Sequence, residues 1–109
     1  VDIGVPDEAT KYCGPGDVLH ILVDRESESH KGDFGRLLVV AGSRDYVGTP
    51  TLVGMAALRV GTDLVTLAVP QYVADRMPFN PNLIVKPLKS TTYLSPSDLD
   101  DIFNAKFGA

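Results

Sequence analysis

The sequence predicts an α/β fold on a parallel sheet, and part of a domain rather than a complete one. Three observations lead there. Residues 37–41 and 64–69 are continuous apolar runs, closed by Gly42 and Pro70. Runs without alternation read as strands buried on both faces of a parallel sheet. Between them, residues 51–60 (TLVGMAALRV) read as a helix, and strand–helix–strand order implies a parallel crossover.

The elements follow in order. Residues 1–16 read as a tail or linker and 17–36 as a turn-rich arm. Gly14-Pro15-Gly16 is a turn signal, and Asp17 is expected to cap a short helix over 18–23. Residues 24–33 are charged and polar. After the first strand, residues 43–48 form a polar loop. Thr49-Pro50 then reads as an N-cap followed by proline at the first helical position. The helix over 51–60 is apolar nearly all round, so it is expected to be buried on most sides, with Gly61 ending it. Gly54 inside it lowers helix propensity and points to close backbone packing or ligand approach.

The second strand stops at Pro70. Residues 71–77 read as two helical turns broken by Pro78, and 83–86 as a short third strand ended by Pro87. Ser95-Pro96-Ser97-Asp98 opens the last helix with a serine cap and an acid in the first turn. Leu99, Ile102, Phe103 and Phe107 share one of its faces, and Gly108 closes it. Three parallel strands with so few helices leave open edges and uncovered faces. A larger domain, or an assembly of copies, is expected to complete them.

Composition narrows the function classes. Of 109 residues, 44% are hydrophobic and 22% charged, which excludes a disordered tail or a collagen-like repeat. Ten basic against fourteen acidic residues give a net charge of −4 with no basic cluster. That argues against nucleic acid and anionic membrane as partners, while leaving room for a local phosphate pocket. A single cysteine, Cys13, allows no intrachain disulfide and fits a reducing, cytoplasmic compartment. No apolar run approaches the roughly 18 residues of a membrane helix. The start has no signal-peptide character and lacks an initiator methionine, so the chain is expected to begin inside a longer product or at a processed end.

In open parallel sheets, ligands sit at the carboxyl ends of the strands. Gly42 and Gly48 either let backbone approach a ligand or only make turns. The helix start after them offers free N–H groups suited to a phosphate. Residues 42–48 (GSRDYVG) match no nucleotide fingerprint. His20 and His30 lack partners at zinc spacing, so no metal site is expected. His30-Lys31-Gly32 places a base and a cation near a ligand, or is a solvated turn. Tyr46 stacks on a ring or simply packs. Asp98, Asp100 and Asp101 are expected to serve a helix dipole. No general acid–base pair stands out.

The stretch Ser29-His30-Lys31-Gly32-Asp33-Phe34-Gly35-Arg36 begins a resemblance. It continues through Ala41-Gly42-Ser43, Tyr46, Gly48-Thr49-Pro50, Ala56-Ala57-Leu58-Arg59-Val60-Gly61 and Leu64-Val65-Thr66 to Ala68-Val69-Pro70. These motifs closely resemble the opening of the NAD(P)H-hydrate dehydratase domain, whose fold is ribokinase-like, a three-layer parallel α/β sheet. The usual pattern is S-H-K-G-x-x-G-x-x-L-V-x-x-G-S, then Y-x-G-A-P, then A-A-L-R-x-G-x-x-L-V-T. Asp2 to Pro6 and Cys13 to Asp17 resemble the end of a partner epimerase domain and its junction. The resemblance thus implies the tail of an epimerase domain over 1–16 and the first part of a dehydratase domain over 17–109. Thr49 departs from the family's usual alanine.

The family repairs hydrated NADH and NADPH, removing water with phosphoryl transfer from ADP or ATP and Mg²⁺. The resemblance implies a substrate side at Gly42, Ser43, Tyr46, Gly48, Thr49 and Pro50, with His30 and Lys31 as support. It places the nucleotide residues and the catalytic aspartate in a Gly-Thr-Gly-Asp motif that this sequence does not contain. No catalytic residue is therefore expected here, and the chain alone is expected to be inactive without the rest of the enzyme. A homo-oligomer is expected. The alternatives are a ribokinase-like kinase of a vitamin precursor and a non-catalytic α/β fragment.

Overall fold

The computed structural model describes Gly4 and residues 9–10, 12–22 and 24–104. The expectations placed on Asp2, Ile3, Val5, Pro6, Val23, Phe107 and Gly108 fall outside these residues.

Strands β1 (Arg36–Val40), β2 (Leu64–Val69) and β3 (Ile84–Pro87) form one parallel sheet in the order β1-β2-β3. Arg36 pairs with Leu64, and Thr66 with Ile84. Helix α2 (Thr49–Val60) links β1 to β2, and the single turn α3 (Gln71–Ala74) lies between β2 and β3. Helix α1 (Pro15–Ile21) precedes the sheet, while a 3₁₀ turn (Pro96–Asp98) and α4 (Leu99–Asn104) follow it. The parallel α/β expectation therefore holds.

The middle strand owns the core. Val65, Leu67 and Val69 are completely buried and cluster with Val39, Val73 and Leu83. Alternate residues point to one face of a strand, so these three face the same layer, and Met55, Ala57 and Leu58 of α2 pack against that cluster. Gly54 explains how α2 comes so near. A Cβ there would lie 2.8 Å from Leu83 Cδ2 and 3.1 Å from Leu67 Cδ2. Of the two readings of this glycine, close packing is the one observed.

Several expectations are corrected. Only β2 is buried on both faces. Among the flanking strands, Leu37 and Val40 of β1 and Ile84 and Val85 of β3 are exposed, because the described residues do not fully cover the faces of these edge strands. Helix α2 buries only Pro50 and Gly54; Leu52 and Val60 stand in solvent, so its apolar circumference is not covered. Its N-cap is Gly48, one residue earlier than predicted, with Thr49 already helical. Asp17 does not precede α1 but lies inside it, where its carboxylate accepts the Gly14 N–H at 2.7 Å. Residues 71–77 give one helical turn and then non-helical turns rather than two turns of helix. The shared face of α4 is open, with Leu99 and Phe103 exposed.

Candidate functional site

The three strand-to-helix connections meet at the carboxyl end of the sheet. The Ala41 N–H donates to Ala68 O at 3.3 Å as the last rung between β1 and β2. The chain then turns at Gly42, whose φ of +94° suits glycine. A Cβ at Gly42 would lie 3.0 Å from Pro50 Cγ and 3.1 Å from Val73 Cγ1. Gly42 is thus wedged against buried Pro50, and the fold itself requires it. Residues 43–46 make a tight turn, in which the Tyr46 N–H donates to Ser43 O at 3.1 Å.

Gly48 differs from Gly42. Its φ is −81° and a Cβ there would meet nothing within 4 Å, so neither backbone strain nor packing asks for glycine at this position. Tyr46 is 69% exposed and its ring is free to meet a planar ligand. Thr49 is exposed beside it. Thr51, which sequence reasoning did not single out, has a buried Oγ1 with no hydrogen-bond partner among the described residues. The first turn of α2 therefore holds one buried, unpaired hydroxyl next to the loop.

A second segment, also unforeseen, completes this rim. Residues 88–95 leave β3 and cross the ends of the other strands. The Gln71 N–H donates to Ser90 O at 2.9 Å, Tyr72 N–H to Thr91 O at 2.8 Å, and Arg44 N–H to Thr92 O at 2.9 Å. The Tyr93 hydroxyl adds a 3.3 Å bond to Asp45 Oδ2. Asp98, expected to serve a helix dipole, does lie in the first turn after the Ser95 cap, as the acid of a capping box, and is also fully buried beneath this segment. Its carboxylate accepts the Ser90 N–H at 3.0 Å and the Ser95 N–H at 2.9 Å. Burial raises its pKa, but these bonds, Ser95 foremost, outweigh that and hold it below the ordinary value of 3.8. A sequence cannot show a carboxylate reaching back eight residues; the capping spacing Ser95 to Asp98 was the available hint.

His30 and Lys31 lie at the other end of the sheet, before β1. The length of β1 alone, about 16 Å at 3.3 Å per residue, separates them from the rim. Both are exposed in a turn where the His30 N–H donates to Asp33 Oδ2 at 2.7 Å. Asp63 anchors this turn region by accepting the Gly32 N–H at 2.9 Å and the Phe34 N–H at 3.0 Å. Arg25 pairs with Asp63 at 3.2 Å and lies over the Phe34 ring. The Phe34 bond leads the causes that lower the Asp63 pKa below its ordinary value. A groove of about 470 Å³ is also at this end, lined by Ile21, Leu22, Arg25, Phe34 and Val60 among others. A second cavity of about 180 Å³ lies beside Phe79 and Val85. Neither contains a residue of the 42–50 loop.

Fold and rim define an α/β protein with its polar loops gathered at the carboxyl ends of parallel strands. A family model described as NAD(P)H-hydrate dehydratase matches residues 37–104. The chain is 46% identical over 96 residues to the bifunctional NAD(P)H-hydrate repair enzyme Nnr of Hyperthermus butylicus, covering 88% of this chain and 18% of that protein. It is 43% identical over 102 residues to the enzyme of that name from Methanothermobacter thermautotrophicus, covering 93% and 19%. It is 50% identical over 72 residues to the ADP-dependent (S)-NAD(P)H-hydrate dehydratase of Nitrosopumilus maritimus, covering 65% and 25%. The chain belongs to the NAD(P)H-hydrate dehydratase family. It spans about a fifth of the length of the bifunctional relatives, and its three-stranded parallel sheet is consistent with part of a ribokinase-like domain.

Among the described residues, no group of three or more His, Cys, Asp or Glu is placed to hold a metal ion. Nor is any described helix long and apolar enough to cross a membrane.

Proposed function

We propose that the protein carrying this chain is a nucleotide-dependent NAD(P)H-hydrate dehydratase, and that the rim from Gly42 to Pro50 forms its substrate side. The observation that carries this reading is the family match over 37–104, which takes in the whole rim and the segment that braces it. The name of the Nitrosopumilus relative supports ADP as phosphoryl donor; ATP is the other candidate, with Mg²⁺ supplied alongside.

In this reading the residues divide by what the fold asks of them. Gly42 and Pro50 shape the turn. Ser43 closes it on Tyr46, whose exposed ring meets the damaged nicotinamide or its sugar. Gly48 lets backbone come close to the substrate, and Thr49 borders it. His30 and Lys31 support the approach to β1 rather than touch the substrate. The relatives' bifunctional names support an epimerase domain ending within 1–16, a dehydratase domain from 17 onward, and action on hydrated NADH and NADPH. A cytoplasmic, homo-oligomeric enzyme completes the proposal.

The test is turnover by the full-length protein. Supplied with hydrated NADH, Mg²⁺ and ADP or ATP, it is expected to restore the absorbance of the reduced nicotinamide ring. No recovery with either nucleotide overturns the reading, and phosphorylation of an added alcohol in its place identifies a kinase.

A further inference from the structure

Three loops make the rim, but they are not equally anchored. The β1 loop and the start of α3 each hang on residues 90–92 through backbone bonds from Arg44, Gln71 and Tyr72. That segment has no regular secondary structure of its own. Its two ends, Ser90 and Ser95, are gripped by the two oxygens of one carboxylate, Asp98 Oδ1 and Oδ2. Asp98 is completely buried, and the nearby Lys89 pairs with Asp101 at 3.1 Å. A buried carboxylate is costly to keep unless its oxygens are bonded. Here both oxygens are bonded by backbone N–H groups, so the carboxylate fixes chain geometry.

We infer that Asp98 is a positioning residue for the substrate rim: it fixes residues 90–95, which in turn fix the Arg44 to Tyr46 turn. The link runs from Asp98 to Ser90 by a hydrogen bond, along the chain to Thr92, from Thr92 to Arg44 by a second hydrogen bond, and along the tight turn to Tyr46. The relevance to catalysis rests on the substrate reading given above; the mechanical link does not. Asp98 touches no candidate substrate residue directly, so its loss loosens the rim without removing a contact group.

Two readouts on the full-length protein test this. Asp98→Asn keeps one acceptor oxygen and presents an amide donor to the other N–H; Asp98→Ala keeps neither acceptor. Amide hydrogen exchange at Arg44 and Tyr72 is expected to quicken by about tenfold or more in both variants, while Val65 and Leu67 in β2 keep their protection. KM for hydrated NADH is expected to rise by about tenfold in Asp98→Ala and by less in Asp98→Asn, with kcat held. Faster exchange confined to Ser90 and Ser95 overturns the inference, as does equal acceleration in β2, which marks general destabilisation. An unchanged KM in variants whose Arg44 exchange has quickened overturns the catalytic part. If Asp98→Ala does not fold, Asp98→Asn carries the test. If the wild-type protein restores no reduced nicotinamide, the substrate reading fails, and exchange at Arg44 still decides the mechanical link.

Discussion

A Cβ on Gly54 would stand 2.8 Å from Leu83 Cδ2, so α2 lays bare backbone against the leucine that leads into β3. This contact sets how near the helix sits to the sheet, and hence where the first turn of α2 meets the loop before it. Gly54→Ala gains about 1 kcal/mol of helix propensity but overpacks the core at about 1–3 kcal/mol. A net loss of about 1 kcal/mol is expected as a lower unfolding midpoint. The double variant Gly54→Ala with Leu83→Ala should be less damaged than the two single losses added together.

Gly42 and Gly48 should behave oppositely. Gly42→Ala forces a side chain into a φ of +94° and against Pro50 and Val73. A loss of about 2–5 kcal/mol is expected, from backbone strain and overpacking together. Gly48→Ala meets open space at an ordinary φ and gives up only the N-cap preference for glycine, so a loss of no more than about 1 kcal/mol is expected. Thermal unfolding of both variants checks the contrast, and equal losses would contradict it.

Asp63 ties acid stability to the amino end of the sheet. Its folded pKa is lowered below 3.8, first by the Phe34 N–H. The unfolded chain therefore binds the proton more readily. The stabilisation is present in full above the ordinary carboxylate range and is lost as pH falls through the folded pKa. Asp63→Asn should lower the unfolding midpoint at neutral pH and flatten its decline below about pH 4. Some decline should remain, because the Asp98 pKa is lowered as well. An Asp63→Asn midpoint that falls with acid as steeply as the wild type refutes the assignment.

Tyr46 is held by its backbone, not its ring. With the side chain 69% exposed, Tyr46→Ala should leave stability within about 0.5 kcal/mol. It should raise KM for hydrated NADH by about tenfold if the ring stacks on substrate, a loss near 1.4 kcal/mol. Tyr46→Phe should retain most of the affinity, since stacking needs the ring and not the hydroxyl.

Much of this architecture is legible in the sequence. The runs at 37–41 and 64–69 mark strands because apolar continuity has few other uses at that length, and Gly61 and Pro70 punctuate the chain where the structure does. What stays hidden depends on tertiary partners. Nothing in the letters around Asp98 shows that it turns inward to Ser90, and nothing around Asp63 shows that Gly32 and Phe34 close on it from 31 and 29 residues away. The open faces of α2 and α4 mislead for a related reason: apolar composition records what a residue is suited to meet, and the described residues include no cover for Leu52 or Phe103. At the rim, sequence locates the loop but does not separate Gly42, which the fold requires, from Gly48, which it does not.

The most direct test of the substrate side is the KM for hydrated NADH of full-length wild type and Gly48→Val, measured with ADP or ATP and Mg²⁺. Turnover by the wild type is expected, with a KM raised by about tenfold in the variant, both proteins being folded at the assay temperature. Absence of turnover with either nucleotide, or equal KM values in the two folded proteins, would contradict the assignment of the Gly42 to Pro50 rim.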